Sequence, residues 1–226
     1  RIIDATAPHS IAFKPNLAFY ECLGVDGMAI LDRTVDYIRS NHPEQFIIAD
    51  AKRGDIGNTA RMYAKSLFGT FDFDAVTLSP YMGCETVTPF LEYPGRYAIV
   101  VALSSNPSSS DFQTAEKGGK PLYQVVMEKM MEISTPENMM FVVGATKADK
   151  LKEIRRFCPD NFFLVPGVGA QGGSAEEVIA NGSNSKGGLL INSSRGVLYA
   201  SSGEDFAPAA AAVAARTATI DRTQCR

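Results

Sequence analysis

The sequence predicts an α/β fold, a (β/α)8 or TIM barrel whose first strand we expect to lie upstream of Arg1. Two observations support this prediction. Seven short apolar runs recur along the chain, and apolar residues return at helical spacing between them. The runs are hydrophobic throughout instead of alternating with polar residues, as is typical of parallel strands that are buried on both faces. One further strand would complete a barrel of ordinary size.

Each apolar run predicts one strand of the sheet. In chain order the strands are expected at Ile11–Lys14, Phe46–Asp50, Ala75–Leu78, Ala98–Leu103, Met140–Gly144, Phe162–Val165 and Gly188–Ile191. Helical spacing predicts helices around Leu31, Val35 and Ile38, around Leu122, Val126, Met130 and Ile133, and over the alanine-rich run Ala207–Ala215.

Two segments qualify this arrangement. Arg1–Thr6 reads as the middle of a helix, so we expect residues upstream of it. Ser104–Lys120 follows the fourth strand and is rich in Ser, Asn and Gly, which predicts a long loop that can serve as a mobile lid. An open doubly wound sheet is the alternative fold, but no G-x-G-x-x-G motif opens an early helix.

The composition is that of an ordinary globular protein, with 226 residues, 45% of them hydrophobic and 21% charged, and a net charge of -3. We expect one domain over Arg1–Arg226. The charge balance favours neither a nucleic acid nor a membrane as partner, and no apolar run approaches the roughly 20 residues that span a bilayer. The four cysteines are widely spaced, which fits reduced thiols in a cytoplasmic protein. His9 and His42 lie apart from other candidate ligands, so we expect no histidine metal site.

The most informative stretch is Ile47–Thr59, an apolar strand that ends in charged residues. Asp50 and Lys52 are two residues apart, so a regular strand would point both side chains to the same face. Asp55 follows on a glycine-containing turn. A carboxylate next to an ammonium group keeps both ionised, so Lys52 is expected to stay protonated and able to donate a proton. A solvated strand end with an incidental ion pair is the alternative interpretation.

Other polar residues also follow the predicted strands. Lys14 ends the first strand and is followed by Asn16, and Ser105 comes shortly after the fourth. In a barrel the active site lies at the carboxyl ends of the strands, so these residues are expected at one rim together with Asp50 and Lys52.

The last two predicted strands lead into candidate phosphate-binding loops. Pro166–Gly173 is rich in glycine and runs into Ser174–Glu177, which has the pattern of a helix capping box. Arg195 follows the final strand. Glycines allow backbone N–H groups to approach an anion, arginine binds phosphate through two N–H groups, and barrels commonly bind phosphate at these loops.

Together these motifs resemble the orotidine 5′-monophosphate decarboxylase family. The most specific is D-x-K-x-x-D-I-x-x-T, which runs from Asp50 to Thr59. The other motifs that carry the resemblance are Phe13–Asn16, Pro166–Gly173 and Asn192–Arg195, in the order that the family has. The resemblance implies cofactor-free decarboxylation of orotidine 5′-monophosphate to UMP and CO2, without a metal, by a homodimer with shared active sites.

The resemblance also implies roles for individual residues. Lys52 would be the proton donor to C6 of the substrate, and the other members of the catalytic charged cluster would be Lys14, Asp50 and Asp55. Asp55 would reach the partner subunit's site, which Ile56 and Thr59 would also line. The substrate-binding set would be Asn16, Ile56, Thr59, Ser105, Pro166, Gln171, Ser194 and Arg195. The family's ribose-binding aspartate, in a G-L-D pattern, has no counterpart here, and we expect it upstream of Arg1.

Three alternatives remain open. Magnesium-dependent sugar-phosphate decarboxylases and aldolases share the D-x-K-x-x-D pattern, but the continuation through Ile56 and Thr59 speaks against them. A Schiff-base aldolase using Lys14 or Lys52 is disfavoured, because flanking carboxylates raise the pKa of a lysine. A catalytically silent nucleotide-binding barrel is the alternative that is not an enzyme.

Overall fold

A computed structural model describes residues 1–168 and 173–224 of the chain. All seven predicted strands are present, and their ends differ from the prediction by at most three residues. They form one sheet in the order β1-β2-β3-β4-β7-β8-β9, and each strand pair with a described register is parallel. The strands are β1 (Ala12–Phe13), β2 (Phe46–Arg53), β3 (Ala75–Leu78), β4 (Tyr97–Leu103), β7 (Met139–Val143), β8 (Phe163–Val165) and β9 (Leu189–Ile191).

The segment Ser104–Lys120, predicted as a loop, contains more structure than expected. Pro107–Asp111 forms a 3-10 helix, and β5 (Glu116–Lys117) pairs with β6 (Lys120–Pro121) as a separate antiparallel hairpin. Gly118 and Gly119 form its turn with φ angles of 62° and 78°, a left-handed conformation that glycine adopts without steric cost. The hairpin was missed because its strands are only two residues long and exposed, and so carry no apolar alternation.

Helices alternate with the strands, as the sequence predicts. They are α1 (Ile2–Thr6), α2 (Ala18–Glu21), α3 (Gly24–Asn41), α4 (Gly57–Ala64), α5 (Thr88–Leu91), α6 (Leu122–Met131), α7 (Ala148–Phe157), α8 (Ala175–Gly182), α9 (Arg195–Leu198) and α10 (Phe206–Gln224). Leu31, Val35 and Ile38 lie on the buried face of α3, as predicted. None of the helices in the described part of the chain is long and apolar enough to cross a membrane.

The buried face of α6 differs from the prediction. Tyr123, Met127 and Met130 are buried, whereas Leu122 and Val126 are only half-buried. The predicted Ile133 lies beyond the end of the helix. At 3.6 residues per turn, the two successive steps of four from Leu122 to Met130 each turn about 40° beyond a full turn, so Leu122 and Met130 do not share one buried stripe.

The described chain divides into two compact units. One consists of Ile11–Val101 and Ile133–Met139 and is called here the lysine unit. The other consists of Arg1–Ser10, Ala102–Glu132 and Met140–Arg226 and is called the arginine unit. In the lysine unit all four residues of β3 are buried, as expected for a parallel strand covered on both faces. The prediction of one domain over the whole chain stays a prediction.

An ionic network holds the amino ends of the strands in the lysine unit. Asp74 accepts hydrogen bonds from the backbone N–H of Ile47 at 2.7 Å and from Arg96 at 3.0 Å, and it pairs with Arg39 at 2.8 Å. Asp72 pairs with the same two arginines at 3.1 and 2.5 Å. Because each carboxylate faces two guanidinium groups, the charges are balanced where β2, β3 and β4 begin.

A single arginine organises the corresponding region of the arginine unit. Arg155 donates hydrogen bonds to five backbone carbonyls, which belong to Gly182, Cys158, Pro159, Asn161 and Gly188, at 2.7–3.1 Å. Its guanidinium group also stacks over the ring of Phe163, 3.8 Å from the centroid. Burial lowers the pKa of Arg155 to about 10, so the group is still charged at neutral pH.

Candidate active site

The carboxyl end of β2 carries a compact charged cluster formed by Lys14, Asp50 and Lys52. The Asp50 carboxylate is buried and lies between the two ammonium groups. Lys14 Nζ donates to Oδ2 at 2.6 Å, and Lys52 Nζ donates to Oδ1 at 2.5 Å. Lys14 is also largely buried, with 14% of its side chain exposed, whereas Lys52 is 55% exposed. The structure therefore brings three of the four predicted catalytic residues into direct contact and leaves Lys52 accessible.

The neighbouring lysines keep Asp50 ionised. Burial by itself raises the pKa of a carboxyl group, and it is the largest single influence on Asp50. The charges and hydrogen bonds of Lys14 and Lys52 act in the opposite direction and together outweigh burial, so the pKa of Asp50 lies below its ordinary value. At neutral pH the cluster thus holds one negative and two positive charges.

The backbone of β2 departs from regular strand geometry at Lys52. Its φ angle is 47°, in the left-handed region that side chains other than glycine rarely adopt. The register with β3 shifts at the same place, because Ala49 pairs with Val76 and Arg53 with Leu78, so four steps along β2 face two along β3. The contact between Asp50 and Lys52 therefore depends on a β-bulge, and not on the alternation of side chains along a regular strand.

Thr77 of β3 lies opposite this bulge and was not anticipated from the sequence. Its hydroxyl oxygen accepts hydrogen bonds from the backbone N–H groups of Ala51 at 3.0 Å and Lys52 at 2.9 Å. The same oxygen lies 3.1 Å from Asp50 Oδ1. A signal was present in the sequence, since Thr77 is the only polar residue in the otherwise apolar run Ala75–Leu78.

Asp55, Ile56 and Thr59 lie on the turn that leads from β2 into α4. The Asp55 carboxylate accepts a hydrogen bond from the backbone N–H of Ile56 at 2.8 Å, and it forms no ion pair with any described residue. Ile56 and Thr59 are both exposed, and Thr59 lies in the first turn of α4, where the sequence places a helix start. Asp55, the fourth predicted catalytic residue, is therefore not part of the Asp50 cluster within this chain.

Asn16 is positioned by the pairing of its own segment with β2. It forms an isolated parallel bridge with Asp50, and the Asp50 N–H donates to the carbonyl of Pro15 at 3.0 Å. The Asn16 side-chain oxygen accepts a hydrogen bond from the N–H of Ala18 at 3.1 Å, at the start of α2. Asn16 is thus adjacent to the cluster through its backbone.

In the arginine unit, Ser105 follows β4 inside a hydrogen-bonded loop. Gln113 accepts from the Ser104 N–H at 2.7 Å and donates to the Ser104 hydroxyl at 2.9 Å. The carbonyl of Ser105 accepts from the hydroxyl of Thr146 at 3.2 Å. A Cβ atom on Gly144 would lie 2.7 Å from the Cα of Ser105, so the close approach requires glycine. The sequence did not indicate Gln113 or Gly144 as supports of this loop.

The predicted phosphate-binding residues lie in the same unit. The Pro166 carbonyl accepts from the N–H of Ala145 at 2.9 Å, and Gln171 falls outside the described residues. The capping box is confirmed in part, because the Ser174 hydroxyl accepts from the Glu177 N–H at 3.2 Å while donating to Glu176 at 2.8 Å.

Ser194 and Arg195 begin the short helix α9. Ser194 is its N-cap residue, and both side chains are exposed. Among the described residues, the Arg195 guanidinium group has neither a hydrogen-bond partner nor an ion pair. An exposed guanidinium group without a partner can bind an anion through two N–H groups.

Comparison with known proteins identifies the family. The sequence model of the orotidine 5′-phosphate decarboxylase / HUMPS family matches residues 1–210. The chain belongs to this family. It is 52% identical over 227 residues to an orotidine 5′-phosphate decarboxylase of Phocaeicola vulgatus, a match that covers 100% of the chain and 84% of that relative. It is 54% identical over 214 residues to the Bacteroides fragilis protein of the same name, covering 94% of the chain and 78% of that relative.

A solved structure supports the same assignment. The OMP decarboxylase of Leishmania donovani superposes with a TM-score of 0.86 and 34% sequence identity, covering 98% of this chain and 85% of that one. The resemblance and the barrel architecture predicted from the sequence are thereby confirmed.

Proposed function

We propose that this protein decarboxylates orotidine 5′-monophosphate to UMP and CO2, the last step of pyrimidine nucleotide synthesis. The observation that carries the proposal is the contact of Lys14, Asp50 and Lys52 at the end of β2, in a chain of this family. The cluster combines a buried, ionised carboxylate with an accessible ammonium group. Such an arrangement suits a reaction that passes through a carbanion.

In the proposed mechanism Lys52 stabilises and then protonates the carbanion. The bond between C6 and the substrate carboxylate breaks, CO2 leaves, and the electron pair remains on C6. The Lys52 ammonium group offers a fixed positive charge to the developing carbanion and transfers a proton to it, and the resulting amine regains a proton from solvent. Charge that is placed before the reaction begins is among the largest contributions to catalysis.

Asp50 and Lys14 would hold Lys52 in place. Asp50 Oδ1 bonds Lys52 while Oδ2 bonds Lys14, so the carboxylate has little freedom to turn away. A substrate carboxylate bound next to Asp50 would meet a like charge that disappears when CO2 leaves. The electrostatic balance would therefore favour the product-forming direction.

Binding of the phosphate group would fall to Arg195, Ser194 and Gln171, with Pro166 in the same loop region. The guanidinium group of Arg195, which has no partner among the described residues, supports this role. Asn16 and Ser105 would contact the ribose and the pyrimidine. Binding energy from a phosphate far from C6 can order the loop after β4, so losing Arg195 should reduce turnover as well as affinity.

We further propose a cytoplasmic homodimer in which each chain completes its partner's site. Asp55 forms no ion pair with any described residue, and Ile56 next to it is 43% exposed. Met62, Tyr81 and Met82 in the same unit are also exposed. An exposed apolar side chain next to a carboxylate that has no ion pair among the described residues is what a shared interface would need. The free thiols of Cys22, Cys84 and Cys158 are compatible with a reducing compartment.

The test is the loss of absorbance of orotidine 5′-monophosphate when the purified protein is added in the presence of EDTA. Turnover under chelation is expected, and turnover that depends on added Mg2+ would instead favour the sugar-phosphate branch. Lys52→Ala should lower kcat by at least about 10⁴-fold, because it removes both the charge and the proton donor. Near-normal turnover by this variant would refute the mechanism.

A further inference from the structure

The hydroxyl group of Thr77 has all its hydrogen-bonding capacity committed to the charged end of β2. It accepts from the N–H groups of Ala51 and Lys52 at 3.0 and 2.9 Å. A hydroxyl oxygen has two lone pairs and one proton, so the proton remains for a single acceptor. Asp50 Oδ1 lies at 3.1 Å and the carbonyl of Ala49 at 3.4 Å, and the nearer, charged oxygen is the better acceptor.

These bonds fall on the irregular part of the strand. Lys52 has a left-handed backbone, which costs energy for a residue with a side chain and persists only where surrounding contacts enforce it. The bulge also removes Ala51 and Lys52 from the regular ladder, because the paired residues on either side are Ala49 and Arg53. Thr77 supplies the acceptor that β3 would otherwise offer through its backbone, so one side chain satisfies both N–H groups.

The Thr77 hydroxyl group also orients the Asp50 carboxylate, which accepts hydrogen bonds from Lys14 and Lys52. Asp50 is approached by Lys14 at Oδ2, and by Lys52 and Thr77 at Oδ1. Thr77 is only 1% exposed, so water cannot replace its hydroxyl group without rearrangement of the core. A purely apolar residue of the same shape would fill the space but leave the part-buried N–H groups of Ala51 and Lys52 without this acceptor.

We propose that Thr77 is a positioning residue, whose hydroxyl group holds the bulge of β2 and thereby places Lys52 Nζ against Asp50. This inference rests on the proposed role of Lys52 as proton donor. Thr77 does not touch the reacting atoms and acts only through Asp50 and the Lys52 backbone. Its contribution should therefore appear in the chemical step more than in substrate binding.

The test compares Thr77→Val, Thr77→Ser and Thr77→Cys in the full-length protein. Thr77→Val keeps the shape and removes the hydroxyl group, and displacement of a catalytic group by about 1 Å can lower kcat roughly 100-fold with little change in KM. Thr77→Ser keeps the hydroxyl group and should stay within about threefold of the parent protein. Thr77→Cys differs from Thr77→Ser by one atom, a sulfur that accepts weakly, so its kcat should fall as in Thr77→Val.

A matched control separates positioning from general destabilisation. Thr6 is also buried, and its hydroxyl group donates to the Ile2 carbonyl at 2.8 Å, within its own helix α1. Thr6→Val should lose stability and keep kcat. If Thr77→Val does not fold, the comparison of kcat between Thr77→Ser and Thr77→Cys still tests the role of the hydroxyl group, since both variants retain a small side chain. Equal kcat values for Thr77→Ser and Thr77→Cys would overturn the proposal.

A second readout does not depend on activity. The Asp50 carboxyl group is titrated by carbon-13 NMR in the serine and cysteine variants without substrate. Loss of the hydroxyl donor should raise the pKa of Asp50 in Thr77→Cys relative to Thr77→Ser. An inactive parent protein would count against the proposed function alone, whereas an unchanged Asp50 titration would count against the role of Thr77.

Discussion

Removal of Lys14 tests whether the charged cluster is held together as the geometry indicates. In Lys14→Met the ammonium group that bonds Asp50 Oδ2 at 2.6 Å is lost, while the length of the side chain is nearly kept. Asp50 is 8% exposed and Lys14 14%, so water can compensate only in part. The buried carboxylate would then depend on Lys52 and Thr77 for its stabilisation.

The expected loss of stability lies between two limits. Removing one partner of a fully buried ion pair costs about 3–5 kcal/mol, whereas one hydrogen bond to a charged group contributes about 1.5–3 kcal/mol. Because Lys52 and Thr77 remain bonded to Asp50, we expect the smaller value, about 2 kcal/mol. For a chain of this length that corresponds to a decrease in Tm of roughly 4–8 °C.

The loss of stability in Lys14→Met should be larger at neutral pH than at acidic pH. In the parent protein the folded-state pKa of Asp50 lies below its ordinary value of 3.8, so its ionised form stabilises the fold above that value and the contribution disappears as pH falls through the folded-state pKa. Without Lys14 the balance shifts toward burial and the pKa of Asp50 rises. The difference in unfolding free energy between parent and variant should therefore be largest at neutral pH and decrease as the solution is acidified.

Urea unfolding at several pH values measures this difference directly. The matched control is Lys129→Met, which breaks the pair of Lys129 with Glu132, where both side chains are about 60% exposed. Such exposed pairs contribute less than about 1 kcal/mol. If Lys14→Met were no less stable than the control, or if its deficit did not change with pH, the assigned electrostatics of Asp50 would be refuted.

Two further predictions concern the arginine unit. Arg155→Lys keeps the charge but cannot reproduce a planar group bonded to five carbonyls, so it should lower the unfolding free energy by at least about 3 kcal/mol, measured by urea denaturation. An Arg155→Lys protein as stable as the parent would contradict this. Gly144→Ala places a Cβ atom 2.7 Å from the Ser105 backbone, so the loop after β4 must move and kcat/KM should fall roughly tenfold or more. The control is Gly69→Ala, whose Cβ atom would meet only the Lys65 side chain, at an ordinary van der Waals distance of 3.8 Å, and which should leave kcat/KM unchanged. Unchanged kinetics in Gly144→Ala would show that the position of Ser105 is unimportant.

The sequence predicted the elements well and the contacts between them less well. Strands such as Ala75–Leu78 carry their own signal, because a parallel strand covered on both faces needs a continuous apolar run. The burial of α6 was predicted only in part. Met130 is buried as expected, but Tyr123 is buried in place of Leu122, since both are apolar enough to face the core and only packing decides between them. The short hairpin at Glu116–Pro121 is exposed and has no apolar pattern to reveal it.

In the candidate site, too, the sequence reveals the individual residues better than the contacts between them. Asp50, Lys52 and Lys14 stand out in the sequence because charged residues rarely follow buried strands without a reason. Their mutual geometry depends on a register shift between β2 and β3 and on the pairing of β1 with β2, which are long-range features. Thr77 lies 25 residues from Lys52 and bonds its backbone, and no local pattern encodes that contact.

The two ends of β2 differ in a way that indicates function without reference to any motif. At the amino end, Asp74 receives the Ile47 N–H and two guanidinium groups, and the strand is regular. At the carboxyl end, Lys52 has a left-handed backbone and an ammonium group that is 55% exposed. If stability alone had shaped both ends, the second would resemble the first, since a regular backbone costs less free energy than a left-handed one. The strained end is the one whose charge remains accessible, which is what a group that must meet a substrate requires.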